Sequence, residues 1–377
     1  MEHRKLRAGI VGGGRGAFIG AVHRIAATMD NEAEIVAGAL SSDPKRADAS
    51  ARDWYLQRSY GSFREMADKE SRRPDGIDFV IIATPNHMHY PVIRAFADKG
   101  IHIVCDKPLA FDLRESEKIA DLVRKKKIVF ALTHNYTGYP LVRHARDMVR
   151  SGKIGEVRKF IVEYLQDWLL QPLEKTGQKQ AAWRTDPKKA GASCCIGDIG
   201  THGENLLEYM TGLKIKSLCA DLTTFVKGRK LEDDANILMR MTNGAKGTLT
   251  CSQIASGEEN GLSIRIYGTK ASIEWRQMEP NNLYVKYPDK PVETLRPGKP
   301  YLSSYALASG RLPSGHPEAF LEAFANIYRG AIADIRRAKE GKALERKYPG
   351  AEDGVRGMRF IKRCVESAKK GNRWIAF

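Results

Sequence analysis

The chain has 377 residues and a formal net charge of +17, from 62 Lys and Arg against 45 Asp and Glu. A hydrophobic fraction of 42% with a charged fraction of 28% describes a globular protein long enough for two domains, and no apolar run approaches the roughly 18 residues of a membrane span. The basic excess falls in short runs (Arg124 to Lys127, Lys188-Lys189, Arg336-Arg337, Lys369-Lys370) without interleaved aromatics, so nucleic acid is not an expected partner, although the net field favours anionic small molecules.

Met1-Glu2-His3-Arg4-Lys5 leads straight into an apolar strand, with no room for a secretory segment, and a cytoplasmic protein is expected. From there Leu6 to Val11, Glu34 to Leu40, Phe79 to Ala83, His102 to Cys105 and Val129 to Thr133 read as short strands, with helical spacing between them. That alternation predicts an α/β Rossmann domain, a doubly wound parallel sheet over residues 1–133. Behind the first strand stands Gly12-Gly13-Gly14-Arg15-Gly16-Ala17, a Gly-x-Gly-x-x-Ala turn opening onto an amphipathic stretch through Ala27. Gly12 is read as the tight turn, Gly14 as the close approach to a pyrophosphate, and Ala17 as the small residue where helix meets strand.

Beyond residue 133 the pattern changes. Val157 to Tyr164, Ser217 to Val226, Ala235 to Thr242, Ala245 to Ile254, Leu262 to Gly268, Ser272 to Trp275 and Leu283 to Tyr287 read as strands without intervening helices. Helices are expected at Leu141 to Ser151, Asp198 to Thr211, Glu318 to Gly341 and Asp353 to Gly371, and 289–316 shows weak periodicity. Residues 134–377 are thus expected to form an α+β domain with a large, mostly antiparallel open sheet. Six cysteines show neither Cys-x-x-Cys nor zinc spacing, so neither a metal site nor a disulfide framework is expected.

Three further signatures carry chemistry. Ala83 to His89, with Thr84, Pro85 and Asn86, follows one strand, and Cys105-Asp106-Lys107-Pro108 closes the next, at a sheet edge where open α/β folds bind ligands. Asp198-Ile199-Gly200-Thr201-His202 sets a carboxylate and an imidazole at i and i+4 on one helix face. Together with the glycine turn and His23 behind it, these residues resemble the glucose-fructose oxidoreductase and inositol dehydrogenase family, Gfo/Idh/MocA. Tyr164 to Trp168, Trp183-Arg184 and Gly197 to His202 are similar to its levoglucosan and inositol dehydrogenase branch.

The resemblance implies an NAD(P)-dependent enzyme transferring a hydride between nicotinamide and a ring hydroxyl of a cyclic polyol, sugar or glycoside, with no membrane partner. By it, Lys107 holds the hydroxyl, His202 takes its proton and Asp198 orients the imidazole. Histidine titrates nearest neutral pH, and a lysine cation stabilises a developing alkoxide, which suits those roles. Cofactor contacts are expected from Gly12, Gly14, Arg15, Gly16, Ala17, Phe18 and Ile19, from Thr84, Pro85, Asn86 and His89, and from Asp106, Lys107 and Asn135. Where relatives commonly place an acid for the adenosine ribose, Ser41-Ser42 stands, with Asp43, Lys45 and Arg46 following. NAD is favoured, with Asp43 and the serines on the ribose, and NADP stays open. Substrate contacts are expected from His23, Lys107, Tyr136, Asp167, Trp168, Trp183, Arg184, Asp198 and His202. Two other readings use the same residues: an NAD-recycling glycosidase with Tyr136 or Tyr164 as the extra base, and a catalytically silent sugar or nucleotide sensor. A homodimer or homotetramer through the C-terminal sheet is expected.

Overall fold

The computed structural model describes residues 4–377, so the opening Met1 to His3 lies outside the described residues. Two units form. One contains the described residues to Asn135 together with Phe324–Val355; the other contains Tyr136–Ala323 and Arg356–Phe377. The expected division at residue 133 therefore holds only for the first crossing. The helix Phe320–Lys339 carries the chain back, and Leu132 N–H donates to Pro349 O at 2.8 Å within the first unit.

In the first unit β1 (Leu6–Gly12), β2 (Ala33–Ala39), β3 (Arg58–Ser59), β4 (Phe79–Ala83), β5 (His102–Cys105) and β6 (Phe130–Leu132) form one sheet in the order β3-β2-β1-β4-β5-β6. Every pairing is parallel. Ile81, Ile82, Val104 and Ala131 have no exposed surface, as a sheet covered on both faces requires. The helices are α1 (Phe18–Thr28), α2 (Pro44–Asp53), α3 (Phe63–Glu70), α4 (His89–Ala97) and α5 (Leu113–Lys126). Local chemistry starts several of them: Asp43, Ser62 and Asp112 are N-caps whose side chains accept from the N–H three residues on. The strand order reverses between β1 and β4, which is where doubly wound sheets open a ligand crevice at their carboxyl ends.

In the second unit β7 (Val157–Leu165), β8 (Ile215–Thr223), β9 (Asp234–Met241), β10 (Lys246–Ser252), β11 (Gly261–Gly268), β12 (Ser272–Arg276), β13 (Leu283–Lys286), β14 (Glu293–Leu295) and β15 (Ile375–Ala376) form one sheet. Its order is β14-β13-β12-β11-β7-β10-β9-β8-β15, and only β7 with β10 runs parallel. The helix Thr201–Thr211 packs on this sheet, close enough that a Cβ at Gly203 would lie 3.0 Å from Leu249 and 3.1 Å from Val162. The stretch 289–316, without clear period in the sequence, contains β14 and a short helix, Ser304–Leu307. The two-residue strands β3 and β15 are too short to leave a period at all.

Candidate functional site

The glycine turn follows from backbone geometry. Gly12 and Gly13 have φ of +79° and +71°, and a Cβ on Gly12 would stand 2.7 Å from Ala83 O, so β1 passes into the turn pressed against the end of β4. The third small position is not Ala17. A Cβ on Gly20 would lie 2.1 Å from Gly13 O, so it is Gly20 that lets α1 close on the turn, while Ala17 is an extended N-cap residue. Gly14 is also required for a different reason than expected: its Cβ would meet Leu40 O and Ser50 Oγ, both at 2.8 Å, inside the protein. Gly16, at φ +78° with open space beside it, is the position that leaves backbone free for a ligand. No side chain caps the first N–H groups of α1, which Phe18 and Ile19 begin, and an uncapped helix start attracts an anion such as a pyrophosphate.

At the end of β2, Asp43 is committed to the fold. Its Oδ1 accepts from Arg46 N–H at 2.8 Å as the N-cap of α2, and its own N–H donates to Ser41 Oγ at 3.1 Å. Asp43 thus caps α2 with one carboxylate oxygen, and Ser41, Ser42 and Lys45 stand beside it. Arg15 donates from Nε and Nη2 to Asp53 at 2.5 and 2.7 Å.

The other strand ends carry polar groups in two classes. Thr84 Oγ1 and Asn135 Nδ2 are buried and have no hydrogen-bond partner among the described residues. Orphaned polar atoms at the carboxyl ends of β4 and β6, together with the uncapped start of α1, fit a dinucleotide. Pro85 and the buried Asn86 continue the β4 loop. His89 is different: it is 1% exposed, with Nδ1 at 2.9 Å from Pro108 O and Nε2 at 2.9 Å from Thr84 O, so it ties two strand-end loops together instead of reaching a ligand.

Asp106 accepts from Thr133 Oγ1 at 2.9 Å, which fixes the loop that presents the half-buried Lys107. His23 has no exposed surface. Its Nδ1 lies 2.6 Å from the Tyr328 hydroxyl, Nε2 lies 3.9 Å from Asp106 Oδ1, and the Phe324 ring stands edge-on at 4.9 Å. The expectation that His23 touches substrate is corrected accordingly: Tyr328 and Phe324 hold its ring in the core. Burial pushes His23 down to about 4, and burial with the Lys107 ammonium pushes His134 down to about 3, so both are neutral at pH 7.

The second unit gathers its own cluster. Residues Ile196–Gly200 form a π-turn that runs into the helix Thr201–Thr211, so Asp198 and His202 are not on successive α-helical turns as expected. Asp198 pairs with Arg184 Nε at 3.1 Å and accepts from Gln253 Nε2 at 2.9 Å. Arg184 also donates to Gln180 Oε1 at 2.7 Å and lies over Trp183 at 4.3 Å and Trp168 at 5.7 Å, which makes it a partner of the carboxylate first. Asp167 Oδ2 accepts from Gly257 N–H at 3.2 Å and holds the neighbouring loop.

Beneath the turn is a residue sequence reasoning missed. Buried Glu232 accepts from Cys194 N–H and Ile196 N–H, each at 3.1 Å, and from Ser193 Oγ. It neutralises the start of the π-turn that carries Asp198. Its only sequence signal is an acidic run, Glu232-Asp233-Asp234, between two strands.

Tyr136 meets His202 edge to face, with ring centroids 4.8 Å apart. Its hydroxyl is 2.6 Å from the Tyr164 hydroxyl, Tyr164 donates to Asn260 Oδ1 at 2.7 Å, and Asn260 Nδ2 donates back to Tyr136 at 3.3 Å. Burial raises both tyrosines above the ordinary phenol value, Tyr164 far above it. That direction disfavours the phenolate form that the extra base of an elimination needs. Among the described residues no group of three or more His, Cys, Asp or Glu could hold a metal ion, and no helix is long and apolar enough to cross a membrane.

Comparison with known proteins matches this division. Residues 6–134 match the model of an oxidoreductase family with an NAD-binding Rossmann fold, and residues 142–274 match the GFO/IDH/MocA C-terminal domain. An uncharacterized oxidoreductase of Bacillus subtilis (strain 168), YfiI, is 37% identical over 99% of this chain and 97% of its own. The levoglucosan dehydrogenase of Pseudarthrobacter phenanthrenivorans is 30% identical over 75% of this chain and 77% of its own. The crystal structure of an inositol dehydrogenase homolog from Azotobacter vinelandii, complexed with NADH and myo-inositol, superposes with a TM-score of 0.93 at 36% identity, covering 99% of this chain and 98% of that one. With a parallel six-stranded sheet built for NAD and a mostly antiparallel nine-stranded sheet beside it in sequence, the chain belongs to the Gfo/Idh/MocA family of oxidoreductases.

Proposed function

We propose that the protein is an NAD-dependent dehydrogenase acting on a ring hydroxyl of a cyclic polyol or sugar, and that Lys107 and His202 share the carbinol oxygen that reacts. The observation that carries this reading is the His202 cluster, an imidazole walled by Tyr136 with a carboxylate, Asp198, held beside Arg184 on the preceding turn. A silent sensor has no need of a proton acceptor kept in that setting. The inositol and levoglucosan relatives point to the substrate class.

NAD, when bound, accepts the hydride from the carbinol carbon. The protein's residues do the rest. The Lys107 ammonium donates to the carbinol oxygen and stabilises its charge as the O–H bond weakens, and His202 takes the proton. Gly16, the first N–H groups of α1, Thr84 and Asn135 would hold the dinucleotide. Trp168, which follows Asp167 in the loop after β7, and Trp183, in the short helix Lys179–Arg184, offer flat faces on which a sugar ring stacks. Assembly into a homodimer or homotetramer through the nine-stranded sheet belongs to the same reading and is measurable by light scattering.

The test is a panel of cyclic polyols, sugars and sugar acids incubated with NAD+ while reduced nicotinamide is followed by absorbance. Turnover that disappears in His202→Ala supports the reading. Binding of NAD+ without turnover on any member contradicts it, and release of p-nitrophenol from aryl glycosides without accumulation of NADH would replace it with the glycosidase reading.

A further inference from the structure

The loop that carries Arg15 lies against the carboxyl end of β2. A Cβ on Gly14 would be 2.8 Å from Leu40 O, and Arg15 N–H donates to Ser50 Oγ at 3.0 Å, which in turn donates to Arg46 O at 2.7 Å. Doubly wound dinucleotide folds place the adenosine ribose at this end of β2, where an acid selects a free 2′-hydroxyl and an arginine accepts a 2′-phosphate. This chain has Ser41 and Ser42 in place of the acid, and Asp43 is engaged as a helix cap. Asp43 keeps its charge as a cap while Lys45 and Arg46 follow it, so the β2 end itself does not decide between NAD and NADP.

The guanidinium of Arg15 is nonetheless held. Asp53 takes Nε and Nη2 at 2.5 and 2.7 Å, the same fork of donors that grips a phosphate. Asp53 is the last residue of α2, where a negative charge opposes the helix dipole. Both side chains are about half exposed, at 58% and 42%, so the pair adds little to stability. Helix chemistry does not explain an aspartate at that position; its effect on Arg15 does.

We propose that Asp53 withholds Arg15 from the adenosine ribose and thereby sets the preference for NAD over NADP, an assignment that rests on the reading of the first unit as NAD-binding. Asp53 acts through Arg15, whose guanidinium fork it occupies.

The experiment titrates the purified full-length protein with NADH and with NADPH, following nicotinamide fluorescence, so it needs no sugar substrate. The wild type is expected to bind NADH more tightly. In Asp53→Ala the Kd for NADPH falls about tenfold, the worth of one good charge-assisted phosphate contact, while that for NADH stays within about threefold. Adding Arg15→Ala to Asp53→Ala removes the gain. An unchanged NADPH affinity in Asp53→Ala, or a gain that survives in the double variant, overturns the assignment and leaves the NAD-binding reading intact. A wild type that binds neither dinucleotide overturns both.

Discussion

Tyr136 sets its ring against the His202 imidazole at an interplanar angle of 83°, while its hydroxyl is closed into a ring of three hydrogen bonds with Tyr164 and Asn260. The hydroxyls are occupied by one another, so this wall fixes the imidazole by shape. Removing one link, in Tyr164→Phe, is expected to lower kcat about tenfold through loss of alignment and to leave the Kd for NADH unchanged. Steady-state kinetics with a fluorescence titration separates the two quantities. Against it, His202→Ala is expected to lose about 10² to 10⁴ in kcat, the usual share of a positioned general base.

Gly20 and Ala17 make opposite predictions for stability. Gly20→Ala places a methyl 2.1 Å from Gly13 O, on backbone that cannot yield cheaply, and α1 must move away from the turn. NADH affinity falls at least about tenfold and the first unit loses stability on the order of 1–3 kcal/mol. Ala17→Ser, at the N-cap of α1, is expected to stabilise the free protein slightly, because a serine there caps a helix start that has no side-chain cap, and to weaken NADH binding, because the capped N–H groups are those offered to the pyrophosphate. Thermal unfolding with and without NADH checks both.

Glu232 holds two backbone N–H groups and the Ser193 hydroxyl at the start of the π-turn. In Glu232→Ala those donors stay buried without an acceptor, a cost of about 2–3 kcal/mol in chemical denaturation. Because Asp198 is carried by that turn, kcat falls with it. Glu232→Gln keeps one acceptor oxygen and is expected to recover most of both quantities.

Histidines held neutral by burial set the acid limit of the first unit. His23 and His102 are pushed to about 4 and His134 to about 3, in each case chiefly by burial. Between the ordinary value of 6.5 and these folded values the unfolded chain binds protons that the folded chain does not. Their stabilisation is therefore complete above about pH 6.5 and is lost as pH falls toward 4 and then 3. For His23 alone the loss is on the order of 3 kcal/mol. Urea unfolding across that window should show stability rising with pH, with a shallower slope in His23→Gln.

The strands of the first sheet were legible because a parallel sheet buried on both faces writes continuous apolar runs: Phe79 to Ala83 and His102 to Cys105 coincide with β4 and β5. The seven principal strands of the second sheet were legible from alternation and turns. Tertiary closeness was not. That Gly20 rather than Ala17 meets Gly13 depends on where α1 lies, and Gly20 stands three positions past the alanine of the fixed spacing. Likewise the motif Asp198 to His202 has α-helical spacing in the sequence, but Glu232, 34 positions from Asp198, holds a wider turn there. His23 and His89 were read as ligand contacts because of their place in a motif, and burial shows both serving the core. That Asp43 caps α2 is likewise visible only once the start of that helix is placed.

The most direct test is a crystal structure of the protein with NADH and a polyol that it turns over. The account predicts a single carbinol oxygen within hydrogen-bond distance, about 3 Å, of both Lys107 Nζ and a ring nitrogen of His202, with its carbon facing the nicotinamide. A bound polyol that engages Lys107 and His202 through different oxygens, or leaves either one out, would contradict it.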